Sequence, residues 1–186
     1  WMPLGFIGPS LWEKTIGIIG MGRIGSLTGE MARHGFRMNV LYFDLKRDKE
    51  FEKKTGAKFA SIPELLKTAD FVSLNVPLTP QTKHLISGKE FKMMKPTAIL
   101  INTSRGPVVD EKALVSALKN KEIWGAGLDV FEEEPKINPE LMKMDNVVLT
   151  PHIASATEEA RDAMARMDAE NIIAVLEGKK AINPVH

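Results

Sequence analysis

Three short polar clusters carry the residues of this sequence best suited to chemistry. They are Asn102-Thr103-Ser104-Arg105-Gly106, Gly127-Leu128-Asp129-Val130-Phe131-Glu132-Glu133-Glu134-Pro135 and Thr150-Pro151-His152-Ile153-Ala154-Ser155. Each begins where a short apolar run ends. Arginine offers a planar fork that matches a carboxylate. Histidine titrates nearest neutrality among the side chains and suits proton transfer to a carbonyl oxygen. A carboxylate beside it favours the imidazolium and fixes its orientation. Arg105, His152 and one of Glu132, Glu133 or Glu134 therefore supply what reduction of a 2-keto acid requires, given a hydride donor. Taken singly, each has a plainer reading. Arg105 is then a surface ion-pair partner, His152 an idle loop residue and the acidic run a solvated turn.

What lifts the set above those readings is a nucleotide fingerprint upstream. Gly20-Met21-Gly22-Arg23-Ile24-Gly25 is a G-x-G-x-x-G lying between a strand pattern and a helix pattern. Gly20 lets the chain turn out of the strand, Gly22 lets a pyrophosphate approach the backbone, and Gly25 lets the helix pack close to the sheet. The helix N-terminus then presents free N–H groups to the phosphates, and Arg23 adds a charge. Asp44 stands 19 residues beyond Gly25 (44 − 25), at the end of the second strand pattern. A carboxylate there accepts from both ribose hydroxyls and repels a 2′-phosphate, so NAD is preferred to NADP. Lys46 and Arg47 would soften that preference.

The elements that must position these groups alternate along the chain. Strands are expected at Thr15 to Ile19, Asn39 to Phe43, Phe71 to Asn75, Ala98 to Asn102, Gly125 to Asp129 and Val147 to Thr150. Ile24, Leu27 and Met31 share one face of the first helix, and Gly35 is placed at its C-terminal cap. Ser61 with Glu64, Ser87 with Glu90, and Ser155 with Glu158 have capping-box spacing. Asp110 caps the helix of Leu114 and Leu118, and Asn138-Pro139 opens another. The last helix runs past Met164 and Met167, read as core, to Gly178. This alternation predicts an α/β Rossmann-type fold, a doubly wound parallel sheet with helices on both faces. Residues 1–186 read as one NAD-binding domain. Open sheets of this kind bind ligands at the carboxyl ends of their strands, where all three polar clusters would gather.

Composition excludes several function classes. The chain has 186 residues, 44% of them hydrophobic, with a net charge of +1. That is enough to bury a core and gives no basic surface for nucleic acid. With no cysteine, disulfides, thiolate metal sites and a cysteine nucleophile are absent, and a cytoplasmic location is expected. No apolar run reaches membrane-spanning length, and no metal site is expected. The opening stretch, Trp1 to Trp12, is apolar but broken by Pro3, Gly5, Gly8 and Pro9, unlike a signal peptide. A start at Trp1 suggests an excised domain or a proteolytic fragment.

With these motifs in order, the sequence resembles the NAD-binding domain of the D-isomer-specific 2-hydroxyacid dehydrogenases. The resemblance spans nearly the whole chain. It rests on Thr15 to Gly25, Asn75-Val76-Pro77-Leu78-Thr79, Asn102 to Gly106, Gly127 to Phe131 and Pro151-His152-Ile153. It implies that Arg105 binds the substrate carboxylate and carbonyl, that His152 is the acid/base, and that Glu134, just before Pro135, is its partner. Asp129 would hold the nicotinamide carboxamide, and Val76, Pro77 and Thr82 would line the adenine and ribose side. Thr103 and His152 complete the cofactor contacts of Gly20, Gly22, Arg23, Ile24, Gly25 and Asp44. The substrate is a small 2-keto or 2-hydroxy acid of the glyoxylate or hydroxypyruvate type.

The family's second, substrate-binding domain has no counterpart in this chain. The isolated chain is therefore expected to bind NAD(H) but turn over poorly. A homodimer through this domain is expected, with Trp1, Leu4, Phe6, Ile7, Leu11 and Trp12 as contacts. An NAD(H)-sensing, corepressor-like interaction module is the alternative function. His34, His84 and His186 lack comparable settings and are read as surface residues.

Overall fold

The computed structural model describes residues 7–184. Its organising strand is β1 (Thr15–Ile19), whose last four residues are buried. Successive strand residues face opposite ways. On one side, a Cβ at Gly17 would lie 2.3 Å from a Leu65 methyl in α3 (Ile62–Thr68). On the other, Ile18 touches the positions of Gly25 and Gly29 in α1 (Arg23–Phe36). Helices α1 and α3 thus cover opposite faces of one strand.

Six further strands extend the sheet: β2 (Asn39–Phe43), β3 (Lys58–Phe59), β4 (Phe71–Leu74), β5 (Ile99–Asn102), β6 (Gly125–Leu128) and β7 (Val147–Leu149). Every pairing is parallel, and the order is β3-β2-β1-β4-β5-β6-β7. The α/β doubly wound expectation holds. Two apolar clusters fill the layers: one gathers Ile18, Ala32, Val40, Tyr42 and Phe51, the other Leu65, Leu74, Phe91, Leu100, Leu114 and Leu128. Chain order reverses between β1 and β4, and that switch point opens a crevice at the carboxyl edge. The expected strands all form, four of them one residue shorter at an end. The two-residue β3, paired to Leu41 and Tyr42, was not anticipated; both its residues are exposed, and so short a segment has no period to detect.

Helix caps follow the sequence in part. Ser61 and Glu64 close a capping box at α3. In α2 (Lys49–Thr55), Asp48 accepts from the Phe51 N–H at 2.9 Å. At α4 (Gly88–Phe91), Glu90 accepts from the Ser87 N–H, but the Ser87 hydroxyl turns to Asp110 at 2.9 Å. Asp110 caps α5 (Glu111–Lys119) by accepting from the Ala113 N–H at 3.0 Å. Burial pushes the Asp110 carboxyl up, but the Ala113 N–H, the Ser87 hydroxyl and the nearby His84 together hold it below its ordinary value. Asp110→Ala is expected to cost about 0.5–2 kcal/mol of stability. A carboxyl lowered on folding stabilises fully above its unfolded pKa and loses that contribution as pH falls through the folded value. Urea midpoints for parent and variant should therefore differ at pH 7 and converge in acid.

Some expectations are corrected. Gly35 is not the cap of α1; the helix runs to Phe36 and ends on Arg37, in the left-handed region at φ 53°. The Ile24, Leu27 and Met31 face is exposed, because α1 seats its small residues Gly25, Gly29 and Ala32 on the sheet instead. Asn138 accepts from the Glu140 N–H, but only a 3₁₀ turn, Leu141–Lys143, follows. The segment before β7 is too short to repay nucleating an α-helix.

The chain divides into two compact units between Pro151 and His152. The first holds the sheet and helices α1 to α5. The second holds α6 (Glu158–Leu176), capped by Thr157, which accepts from the Ala160 N–H at 3.1 Å, and not by Ser155. Met164 and Met167 are exposed and not core. A unit built on one helix has no second layer of its own in which to bury an apolar stripe. Among the described residues, no helix is long and apolar enough to cross a membrane.

Candidate functional site

The glycine loop leaves β1 through Gly20, whose φ of 96° is one that side-chain-bearing residues rarely adopt. A Cβ there would also lie 2.6 Å from the Asn75 carbonyl oxygen and 2.9 Å from Val76. The loop is thereby pressed against the start of the segment after β4, across the switch point. A Cβ at Gly25 would sit 2.0 Å from the Gly20 carbonyl oxygen, whereas one at Gly22 would meet nothing within 4 Å. Two glycines are thus required by the protein itself, and the third faces open space at the N-terminus of α1. Among the described residues no side chain caps that terminus, and the first N–H groups of a helix look for partners beyond it. Ile24 is exposed in the first turn, and Arg23 starts the helix.

Asp44 follows β2. Its carboxylate accepts from the Met21 N–H at 2.6 Å and from the Leu45 N–H at 2.6 Å. The acid is therefore hydrogen-bonded to the glycine loop itself. Arg47 is drawn away into a fork with Glu52, at 2.6 and 2.8 Å. On the β4 side, the Thr82 hydroxyl donates to the Pro77 carbonyl at 2.6 Å and accepts from the Thr79 N–H at 2.8 Å. That pinches Pro77 to Thr82 into a closed loop beside Val76.

The turn after β5 is built by Asn102, which is 1% exposed. Its amide donates to the Arg105 carbonyl, and its oxygen accepts from the Ser104 N–H and hydroxyl. The side chain mimics a backbone turn and pushes Thr103 and Arg105 outward. The Arg105 guanidinium donates to the Ser104 carbonyl at 2.7 Å. At Gly106, a Cβ would fall 1.8 Å from the Phe131 carbonyl oxygen, so this turn lies directly on the loop after β6. In that loop Glu134 accepts from the Phe131 N–H at 2.9 Å. Asp129 is buried, its N–H donating to Asn102 and its carboxylate accepting from the Thr150 hydroxyl at 2.5 Å. The Thr150 N–H donates to Leu128. His152 opens the second unit as an exposed residue at φ 54°.

The profile described as D-isomer specific 2-hydroxyacid dehydrogenase, NAD binding domain, matches residues 1–154. The chain belongs to that family. A glyoxylate reductase from Thermococcus litoralis is 54% identical over all 186 residues, which span 56% of that relative. The structure of a glyoxylate reductase from Paecilomyes thermophila superposes with a TM-score of 0.91 at 38% identity, covering 100% of this chain and 56% of that one. D-lactate dehydrogenase with NAD+ from Lactobacillus jensenii gives 0.87 at 34%, covering 99% and 59%. The chain thus spans little more than half the length of these relatives.

This family domain binds NAD(H), and the residues present fit that group: an open-sided glycine at a helix N-terminus for the pyrophosphate, with a carboxylate at the neighbouring strand end. The first unit brings together Gly20, Gly22, Gly25, Asp44 and Val76 at the crevice, and Arg105, Asp129 and Glu134 on touching loops. Two further side chains brace these loops without a role read for them in the sequence. Asn102, two residues before Ser104, carried an Asx-turn signal. His84, partly exposed as its surface reading expects, also pairs across the edge: its Nε2 lies 2.7 Å from Glu132 Oε1. No local pattern connects residues 48 positions apart.

Proposed function

We propose that this chain is the NAD-binding part of a longer enzyme, with a separate substrate domain, that reduces a small 2-keto acid of the glyoxylate or hydroxypyruvate type. The observation that carries the reading is the Asn102-built turn, which presents Arg105 outward while Gly106 seats it on the loop of Glu134. An exposed guanidinium on a rigid turn can engage a carboxylate with little reorganisation. In this reading Arg105 pairs with the substrate carboxylate and aligns the carbonyl. His152 delivers a proton to the carbonyl oxygen as the alcohol forms, and Glu134 steadies the imidazolium. NADH, when bound, supplies the hydride. Asp129 accepts from the carboxamide, Arg23, Ile24 and the glycine loop hold the phosphates, and Val76, Pro77, Thr82 and Thr103 line the remaining surface. The relatives named as glyoxylate reductases favour an enzyme over an interaction module. The test is turnover of the full-length protein with NADH against glyoxylate, hydroxypyruvate, pyruvate and bulkier 2-keto acids. Absence of turnover with all of them refutes the reading.

NAD over NADP belongs to the same proposal. A carboxylate at Asp44 would repel a 2′-phosphate, and Glu52 occupies the fork of Arg47. Asp44→Ala is expected to weaken NADH binding by about tenfold, roughly 1.4 kcal/mol, and to strengthen NADPH binding. Calorimetric titration of both nucleotides checks this; unchanged selectivity would shift the argument to Lys46. The 186-residue chain by itself is expected to bind NADH yet give no measurable steady-state reduction of glyoxylate, because closure of a second domain completes such sites.

We also propose a cytoplasmic homodimer. Absence of cysteine fits a reducing compartment. Of the expected contacts, Ile7, Leu11 and Trp12 are exposed, while Trp1, Leu4, Phe6 and also His186 lie outside the described residues. A monomeric mass by light scattering of the full-length protein would refute the dimer.

A further inference from the structure

Glu132 is held at both carboxylate oxygens and at its N–H, by His84 and by Glu111. His84 Nε2–H donates to Oε1 at 2.7 Å. The Glu111 N–H, first in α5, donates to Oε2 at 3.1 Å. The Glu132 N–H donates to the Glu111 carboxylate at 2.9 Å, whose other oxygen accepts from the Asn138 N–H at 3.2 Å. His84 is itself anchored, its N–H donating to the Pro107 carbonyl at 2.8 Å, and its backbone stands in the left-handed region at φ 51°. One carboxylate therefore joins His84 of the segment after β4 and Glu111 at the start of α5 to its own loop after β6, and His84 in turn ties that segment to Pro107 in the turn of Arg105.

We infer that Glu132, clamped by His84 and the start of α5, is a positioning residue for the transfer step. It sets the loop bearing Glu134 against the turn bearing Arg105 and against the segment bearing Thr82. The side chain must reach both partners at once, Oε1 to His84 and Oε2 to the Glu111 N–H, while the main-chain N–H donates back to Glu111. Histidine supplies a donor from a segment that ends two residues before the parallel bridge of Ile86 to Val109, so the clamp is braced by main chain on either side. Displacement of a reacting group by an ångström lowers a rate by about a hundredfold, so a latch of this kind acts on kcat before it acts on binding. The inference rests on the roles proposed above for Arg105 and Glu134.

The test uses the full-length protein with glyoxylate and NADH. Glu132→Ala is expected to slow single-turnover hydride transfer by about tenfold to a hundredfold, while the Kd for NADH stays within threefold. Glu132→Gln keeps an acceptor for the Glu111 N–H and can donate to His84 after a tautomer change; it is expected to recover most of the loss. His84→Asn, which tolerates the left-handed backbone but is too short to reach Glu132, should slow the step in the same direction, and it serves if Glu132→Ala does not fold. Transfer within twofold of the parent in the Ala and Asn variants overturns the inference. So does a loss that Gln fails to recover, or one matched by an equal loss of NADH binding. An inactive parent would instead refute the proposed function.

Discussion

His152→Asn in the full-length protein is expected to lower kcat for 2-keto acid reduction by roughly 10²–10⁴-fold, the range for losing a positioned general acid. The Kd for NADH should stay within threefold, since the role proposed for the side chain is proton delivery. Asparagine also suits the backbone, because His152 occupies the left-handed region at φ 54°, where asparagine is among the best tolerated residues. A loss of activity is then attributable to the imidazole and not to strain. The chain leading to His152 is anchored independently, through the Thr150 hydroxyl on Asp129 and the Thr150 N–H on Leu128. Retention of more than a tenth of kcat would remove His152 from its role. Glu134→Gln should show a smaller loss, because it removes orientation and charge but leaves the proton donor in place.

The second large effect separates two glycines of one motif. Gly22→Val places its side chain where nothing of the protein lies within 4 Å of the Cβ position. Thermal stability should hardly change, while NADH binding weakens by more than tenfold, about 1.4 kcal/mol or more. Gly25→Ala instead drives a Cβ to 2.0 Å from the Gly20 carbonyl oxygen. Backbone cannot swing aside as a side chain can, so overpacking of about 1–3 kcal/mol or more is expected. A loss of that size lowers the thermal midpoint by several degrees, at about 2–4 °C per kcal/mol for a chain of this size. Calorimetric titration and thermal melts on the two variants read out both quantities. Unchanged NADH affinity in Gly22→Val would mean that the open side of the loop is not the phosphate cradle.

Gly22 illustrates how sequence and structure divide the information. The G-x-G-x-x-G pattern, the strand before it, the acid at Asp44 and the alternation of strands with helices were legible because each is local. A turn, a cap or a two-residue period needs only neighbours along the chain. The five ordered motifs likewise pointed to the family that the profile match shows. What local pattern could not supply was the outcome of packing. The Ile24, Leu27 and Met31 stripe is helical in period, yet α1 turns it outward, because Gly25, Gly29 and Ala32 permit the closer approach to β1. Met164 and Met167 were misread for the same reason: a periodic stripe says that a face exists, not what covers it. Glu132 looked like one acid among three, and His84 like one surface histidine among several. Only the parallel register of β4, β5 and β6 carries their loops to one edge, where a 2.7 Å hydrogen bond joins residues 48 positions apart. By itself, then, the sequence determined the fold class, the cofactor loop and the residue types available for chemistry, since these follow from short-range sterics and period. The tertiary structure decided which faces are buried and which side chains touch, because those depend on contacts between segments that the chain separates widely.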